Sequence, residues 1–154
     1  MATYYVAMAT SKTTNQKNTQ RAGEVFRKTR RDHSNEIAED YVEAIAELES
    51  EEGSCRVTRL ARRLGVTHVT ANRTVARLVD RGLVTTTPYQ PIELTGAGRM
   101  LAETARQRHQ IVLRFLLELG VAEETANDDS EGIEHHCSPQ TLEAMRKFCT
   151  KRNR

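Results

Sequence analysis

The chain has 154 residues, 38% hydrophobic and 29% charged, with 23 Lys and Arg against 21 Asp and Glu for a formal net charge of +2. That length holds one compact core with a small satellite, or two small helical units, in a charged, helix-rich soluble protein. No apolar run reaches a membrane span, the first residues lack the apolar core of a signal peptide, and the three cysteines fit neither a disulfide framework nor a zinc ribbon; the expectation is a cytoplasmic protein with no membrane partner.

Residues 1–33 begin as a Thr/Ser/Asn/Gln/Lys-rich stretch with little apolar periodicity, which predicts a mobile arm. Lys12, Lys17, Arg21, Arg27, Lys28, Arg30 and Arg31 make it basic, able to brush phosphate or simply to solubilise. A helix is predicted over 34–52, with Ser34 as N-cap and Gly53 as stop. Its stripe is Ile37, Tyr41, Ala44, Ile45 and Leu48, at the three- to four-residue spacing of one buried face. Residues 36–52 carry eight acidic groups and no Lys or Arg. Of these, Asp40 and Glu43 stand at i, i+3 beside the stripe, where carboxylates can point into a cleft between helices.

The charge then reverses: residues 54–82 hold seven Arg against the single acid Asp80. A short helix over 57–64, a turn at Gly65-Val66-Thr67, and a second helix capped by Thr67 and running to Arg81 have the form of a helix-turn-helix. Leu83–Thr87 and Ile92–Thr95, rich in β-branched residues around Pro88-Tyr89-Gln90-Pro91, predict a short hairpin, and hence a winged helix-turn-helix over 34–95. A recognition helix needs polar side chains at its N-terminal end for base edges and cations for phosphates. The candidates are Thr67, His68, Thr70, Asn72, Arg73 and Arg77, with Arg73 either bidentate to guanine or gripping a phosphate. An arginine-rich helix is also commonly a solvated face, but the turn spacing, the hairpin and the scarcity of acids favour double-stranded DNA as partner.

Thr95 caps a long helix toward Gly120, with a break or bend expected near His109. Ile111, Val112, Phe115, Leu116, Leu117 and Leu119 exceed what one buried stripe requires, which predicts a core shared with a second subunit. A further helix covers about 122–136, and the last starts at Ser138 with Pro139 in its first position. Residues 96–154 are thus expected to form a linker helix and a helical dimerisation domain, in a chain that is mainly α.

Residues 118–134 hold seven acids and no Lys or Arg. Within that run and just beyond it, Glu131, Glu134 and His135 share a helix face at i, i+3 and i+4. His136 turns about 100° away and is expected to be structural. With Asp40, Glu43 and His109 this makes four carboxylates and two imidazoles from three helices. Carboxylates converging without neutralisation either protonate or bind cations. Oxygen-rich, thiolate-free donors favour hard divalent ions such as Mn²⁺ or Fe²⁺, and six donors exceed the need of one tetrahedral ion, so a bridged pair of ions is plausible. Taken singly, each pair also reads as surface decoration, His109 as a core histidine, and Cys137 as a small buried hydrophobe rather than a soft ligand.

The segments Asp40-Tyr41-Val42-Glu43, Arg108-His109 and Asp129-Ser130-Glu131-Gly132-Ile133-Glu134-His135-His136, in this order around a winged helix-turn-helix, resemble the manganese transport regulators. These are a branch of the diphtheria toxin repressor family, and the similarity covers about residues 34–150. The resemblance implies a homodimer with a two-ion site between reader and dimer domain, built by Asp40, Glu43, His109, Glu131, Glu134 and His135. In the iron-sensing branch the positions matching Asp40 and Glu131 carry Met and Cys, so oxygen ligands here point to Mn²⁺, with Fe²⁺ possible. The expected function is Mn²⁺-dependent repression of manganese uptake genes at a palindromic operator, without enzymatic activity. A metal-dependent hydrolase with a dinuclear carboxylate/His centre, or a winged-helix sensor of an organic ligand, are the alternatives.

Overall fold

The structure is a computed structural model and describes residues 32–87 and 90–152. The chain divides into two units, Met1–Asn35 and Glu36–Arg154. The basic arm expected over 1–33 lies almost wholly outside the described residues, as do Pro88 and Tyr89 of the hairpin tip. The described elements are α1 (residues 32–52), α2 (Val57–Arg63), α3 (His68–Asp80), β1 (Val84–Thr85), β2 (Glu93–Leu94), α4 (Gly96–Leu119), α5 (Glu123–His136) and α6 (Pro139–Arg152).

Helix α1 is already helical at residue 32, so Ser34 lies inside it and does not cap it. No Pro or Gly stands at 32–36 to break the backbone ladder, and a capping preference is weak against continued hydrogen bonding. Ala38, Tyr41, Val42, Ala44, Ile45 and Leu48 are buried and form a broader stripe than the spacing predicts. They pack with Leu60 of α2, Val75 and Leu78 of α3, Val84 and Leu94 of the wing, and Ala102 of α4. Arg63 fastens α2 back to α1 through Glu47 at 2.7 Å and Glu51.

Between α2 and α3 the chain turns at Gly65, whose φ of 64° is one that residues with a Cβ rarely adopt. Thr67 then caps α3, its Oγ1 accepting from the Thr70 amide at 3.2 Å. The wing is shorter than the β-branched runs suggest: β1 and β2 pair antiparallel over two residues each, Val84 opposite Leu94. Its return strand also finds a partner ahead of α2, since the Ile92 amide donates to the Cys55 carbonyl at 2.8 Å. Buried Cys55 is therefore a piece of the wing's base.

Thr95 caps α4 as its position predicts, accepting from the Gly98 amide at 3.1 Å while donating to the Gly82 carbonyl at 2.7 Å. No break occurs near His109: α4 is one continuous 24-residue helix. Between Arg99 and Leu119 it holds neither Pro nor Gly, and kinks need such a cause. Helices α5 and α6 pack along its second half, with Val112, Ala126, Leu142 and Cys149 buried there. Phe115 meets Phe148 edge to face at 5.4 Å between ring centres. Ser138 caps α6 by accepting from the Thr141 amide at 3.2 Å. No described helix is long and apolar enough to cross a membrane.

Candidate metal centre and nucleic-acid interface

Three helices deliver charged side chains to one open cavity of about 740 Å³. Asp40 and Glu43 come from α1, His109 from the middle of α4, and Glu131, Glu134 and His135 from the end of α5; all six line it. His109 Nδ1 lies 2.8 Å from Glu134 Oε2 and 3.5 Å from Glu131 Oε1. On the other side, His135 Nε2 lies 3.2 Å from Asp40 Oδ1 and 3.7 Å from Glu134 Oε1. Glu134, 1% exposed, thus stands between the two imidazoles. His136 is exposed, in line with its turn away from the face, and Cys137 does not line the cavity.

The electrostatics are those of carboxylates crowded out of water. Burial first, then the charges of Glu134 and Glu131, push the Glu43 carboxyl up to about 7. Burial also leads at Glu134, with Glu131 and Glu39 adding to it against His135 and Arg108, and that carboxyl too rises to about 7. His135 moves up to about 10 because Asp40 and Glu39 bond to its ring. Glu134 Oε2 is buried and close to His109, yet has no aligned hydrogen-bond partner. Among the described residues no three donors are already set as a closed ion site. The ring nitrogens hold carboxylate oxygens in contacts that a cation would replace. An orphaned buried carboxylate oxygen, two carboxyls displaced toward neutrality and a hard O/N donor set together suit a divalent cation of the Mn²⁺ type.

Two residues at this site were given no part by the spacing argument. Glu39, 9% exposed, places Oε2 2.8 Å from His135 Nδ1 and 2.6 Å from Arg108 Nη2. Burial alone would raise its pKa, but the bonds from His135 and Arg108 overcome this and lower it. The signal in the sequence was an acid three residues before Val42, on the apolar side of α1, where a charge needs a partner.

At the reader, Ala71, Thr74, Val75 and Leu78 anchor α3, while Thr67, His68, Thr70, Asn72, Arg73 and Arg77 are all exposed. Thr67 Oγ1 lies 2.9 Å from Thr70 Oγ1, and His68 Nδ1 lies 2.9 Å from Asn72 Nδ2, so the polar groups of the first turns are held in local pairs. Arg73 and Arg77 form no ion pair among the described residues, which leaves their charge to an outside anion.

Two family models match the chain: iron dependent repressor, N-terminal DNA binding domain, over residues 34–92, and iron dependent repressor, metal binding and dimerisation domain, over residues 95–154. The transcriptional regulator MntR of Escherichia coli O157:H7 is 45% identical over 128 residues, 83% of each chain. That of Salmonella typhimurium strain LT2 is 42% identical over 139 residues, 90% of this chain and 88% of its own. A solved manganese-dependent transcriptional repressor in complex with manganese superposes with a TM-score of 0.67 at 28% identity, over 73% of this chain and 52% of that one. The chain thus spans about half the length of that structure and of the solved manganese regulator SloR.

Proposed function

This chain belongs to the iron-dependent repressor family, among its MntR transcriptional regulators, and from that premise we propose that it is a Mn²⁺-dependent repressor of manganese uptake genes, acting in the cytoplasm as a homodimer on a palindromic operator. The observation that carries this reading is the meeting of Asp40, Glu43, His109, Glu131, Glu134 and His135 around one cavity, with Glu43 and Glu134 crowded toward neutrality. These six residues hold the metal, and their number suits two Mn²⁺ ions per subunit, with Fe²⁺ as the competing ion. Bound there, a divalent cation supplies the positive charge that lets all four carboxylates ionise together.

The residues then act through the elements that carry them. Asp40 and Glu43 ride on α1, whose buried face packs against both helices of the reader. Glu131, Glu134 and His135 ride on α5, which lies against α4. Joining the two sets fixes the reader relative to the dimer scaffold, and hence the separation of two recognition helices, about 34 Å for successive major-groove faces. Thr70 and Asn72 meet base edges, Arg73 either a base edge or a phosphate, and Arg77 the backbone; Thr67 and His68 hold the first turn in register. A hydrolase is not favoured for a member of a repressor family.

Operator affinity of the full chain is to be measured with and without Mn²⁺, for the native protein and for Glu134→Ala. Binding tightens with Mn²⁺ by about 5- to 150-fold, the usual span of one allosteric coupling, and the variant loses that gain. Equal affinity with and without the ion in the native protein removes this reading.

A further inference from the structure

We propose that Glu39 is a positioning residue of the metal centre: its carboxylate, braced by Arg108, holds the His135 ring by Nδ1 and so presents Nε2 as the only ring nitrogen free to ligate. This rests on the metal reading of the six residues given above.

Glu39 Oε2 lies 2.8 Å from His135 Nδ1. A carboxylate oxygen accepts, so Nδ1 carries the hydrogen and cannot coordinate. The other nitrogen, Nε2, is the one that faces Asp40 Oδ1 at 3.2 Å and Glu134 Oε1 at 3.7 Å inside the cavity. The same Glu39 oxygen is 2.6 Å from Arg108 Nη2, which compensates its charge where little water reaches. Glu39 belongs to α1, Arg108 to α4 and His135 to α5, so this outer trio ties together the same three helices as the candidate ligands do. It differs in that its carboxylate is matched by an opposite charge, Arg108, within 2.6 Å, whereas Glu134 keeps an orphaned oxygen; Arg108 Nε and Nη2 meet no aligned acceptor. A ligating imidazole whose second nitrogen is bonded to a carboxylate is fixed in orientation and made a stronger donor. The trio is thus assembled before any ion arrives, and Arg108 keeps Glu39 from swinging inward as a seventh ligand.

The test uses the full chain and two readouts. First, Mn²⁺ affinity is titrated for the native protein and for Glu39→Gln, with circular dichroism and sedimentation checking fold and assembly. Replacing the carboxylate by an amide weakens Mn²⁺ binding by roughly 10- to 100-fold, the usual effect of such an outer partner, while metal-free fold and assembly stay unchanged. Second, nitrogen NMR of the His135 ring in native protein loaded with Cd²⁺, a diamagnetic probe, shows Nδ1 protonated and Nε2 metal-bound. A folded Glu39→Gln that binds Mn²⁺ as tightly as the native chain overturns the proposal and leaves the metal reading standing. Metal found on Nδ1 overturns it without recourse to a variant. A native chain that takes up neither ion at the six residues overturns both.

Discussion

Glu43 and Glu134 meet the cavity with carboxyls raised from 4.5 to about 7 in the folded chain. A folded state that holds protons the unfolded chain has released is weakened as pH rises through that interval. His135, raised from 6.5 to about 10, acts in the same direction: its contribution is whole below 6.5 and is lost as pH climbs toward 10. The metal-free chain is therefore expected to melt at a lower temperature near about pH 8 than near about pH 5, with Mn²⁺ restoring more stability at the higher pH, because the ion competes with those protons. Calorimetry across that range checks it; a melting temperature that climbs with pH in the absence of metal contradicts the assignment. Glu134→Gln removes one buried charge, so metal-free stability holds or rises by about 2–4 °C while the Mn²⁺ response disappears. Five of the six candidate donors could be picked out from the sequence because i, i+3 and i+4 spacing puts them on helix faces, while His109, alone on α4, was carried by the resemblance. Glu39 could not, being one of nine acids in its helix, with its two partners far along the chain.

Elements with strong local signals came through the sequence reading nearly unaltered. The Thr67, Thr95 and Ser138 caps all accept the backbone amide their position calls for. The wing's pairing with Cys55 depended on a distant neighbour that local pattern does not show, whereas the early start of α1 and the continuity of α4 follow from the lack of Pro and Gly in those stretches. Gly98 is a further case, since helix periodicity gives no hint that a Cβ there would run into the Leu83 carbonyl of the wing's base. That obstacle is backbone, so it cannot swing aside. Gly98→Ala is expected to destabilise the chain by about 2–4 kcal/mol in urea titration, whereas Gly96→Ala, which meets nothing within 4 Å, stays neutral or gains up to about 1 kcal/mol. In the reader, Arg73→Ala weakens operator binding and leaves Mn²⁺ titration untouched. A loss of about 1–3 kcal/mol confined to certain sequences marks a base contact, and a uniform loss marks a phosphate.

Over the whole molecule, the apolar excess of residues 111–119 resolves into two groups. Val112 is buried within the chain and Phe115 meets Phe148, but Leu117 and Leu119 remain 42% and 54% exposed. With Phe148 also exposed, these side chains fit the surface of a dimerisation domain. Leu119→Asp is expected to shift the chain toward monomer in sedimentation and to lower operator affinity more than Arg73→Ala does, since each lone reader grips only one half-site. A dimer of undiminished stability would place the seam elsewhere. The unbroken run of α4 carries a consequence for how such a protein can vary. Its opening turn is wedged under the wing, His109 marks its middle, and its closing turns bear the leucines, so it behaves as a shaft keyed at three stations. Adding one residue between His109 and Leu117 twists the leucines by about 100° out of phase with the cavity, while adding seven brings them back to within about 20° and lengthens the shaft by about 10 Å. Length changes in this segment should therefore be tolerated by angle rather than by number.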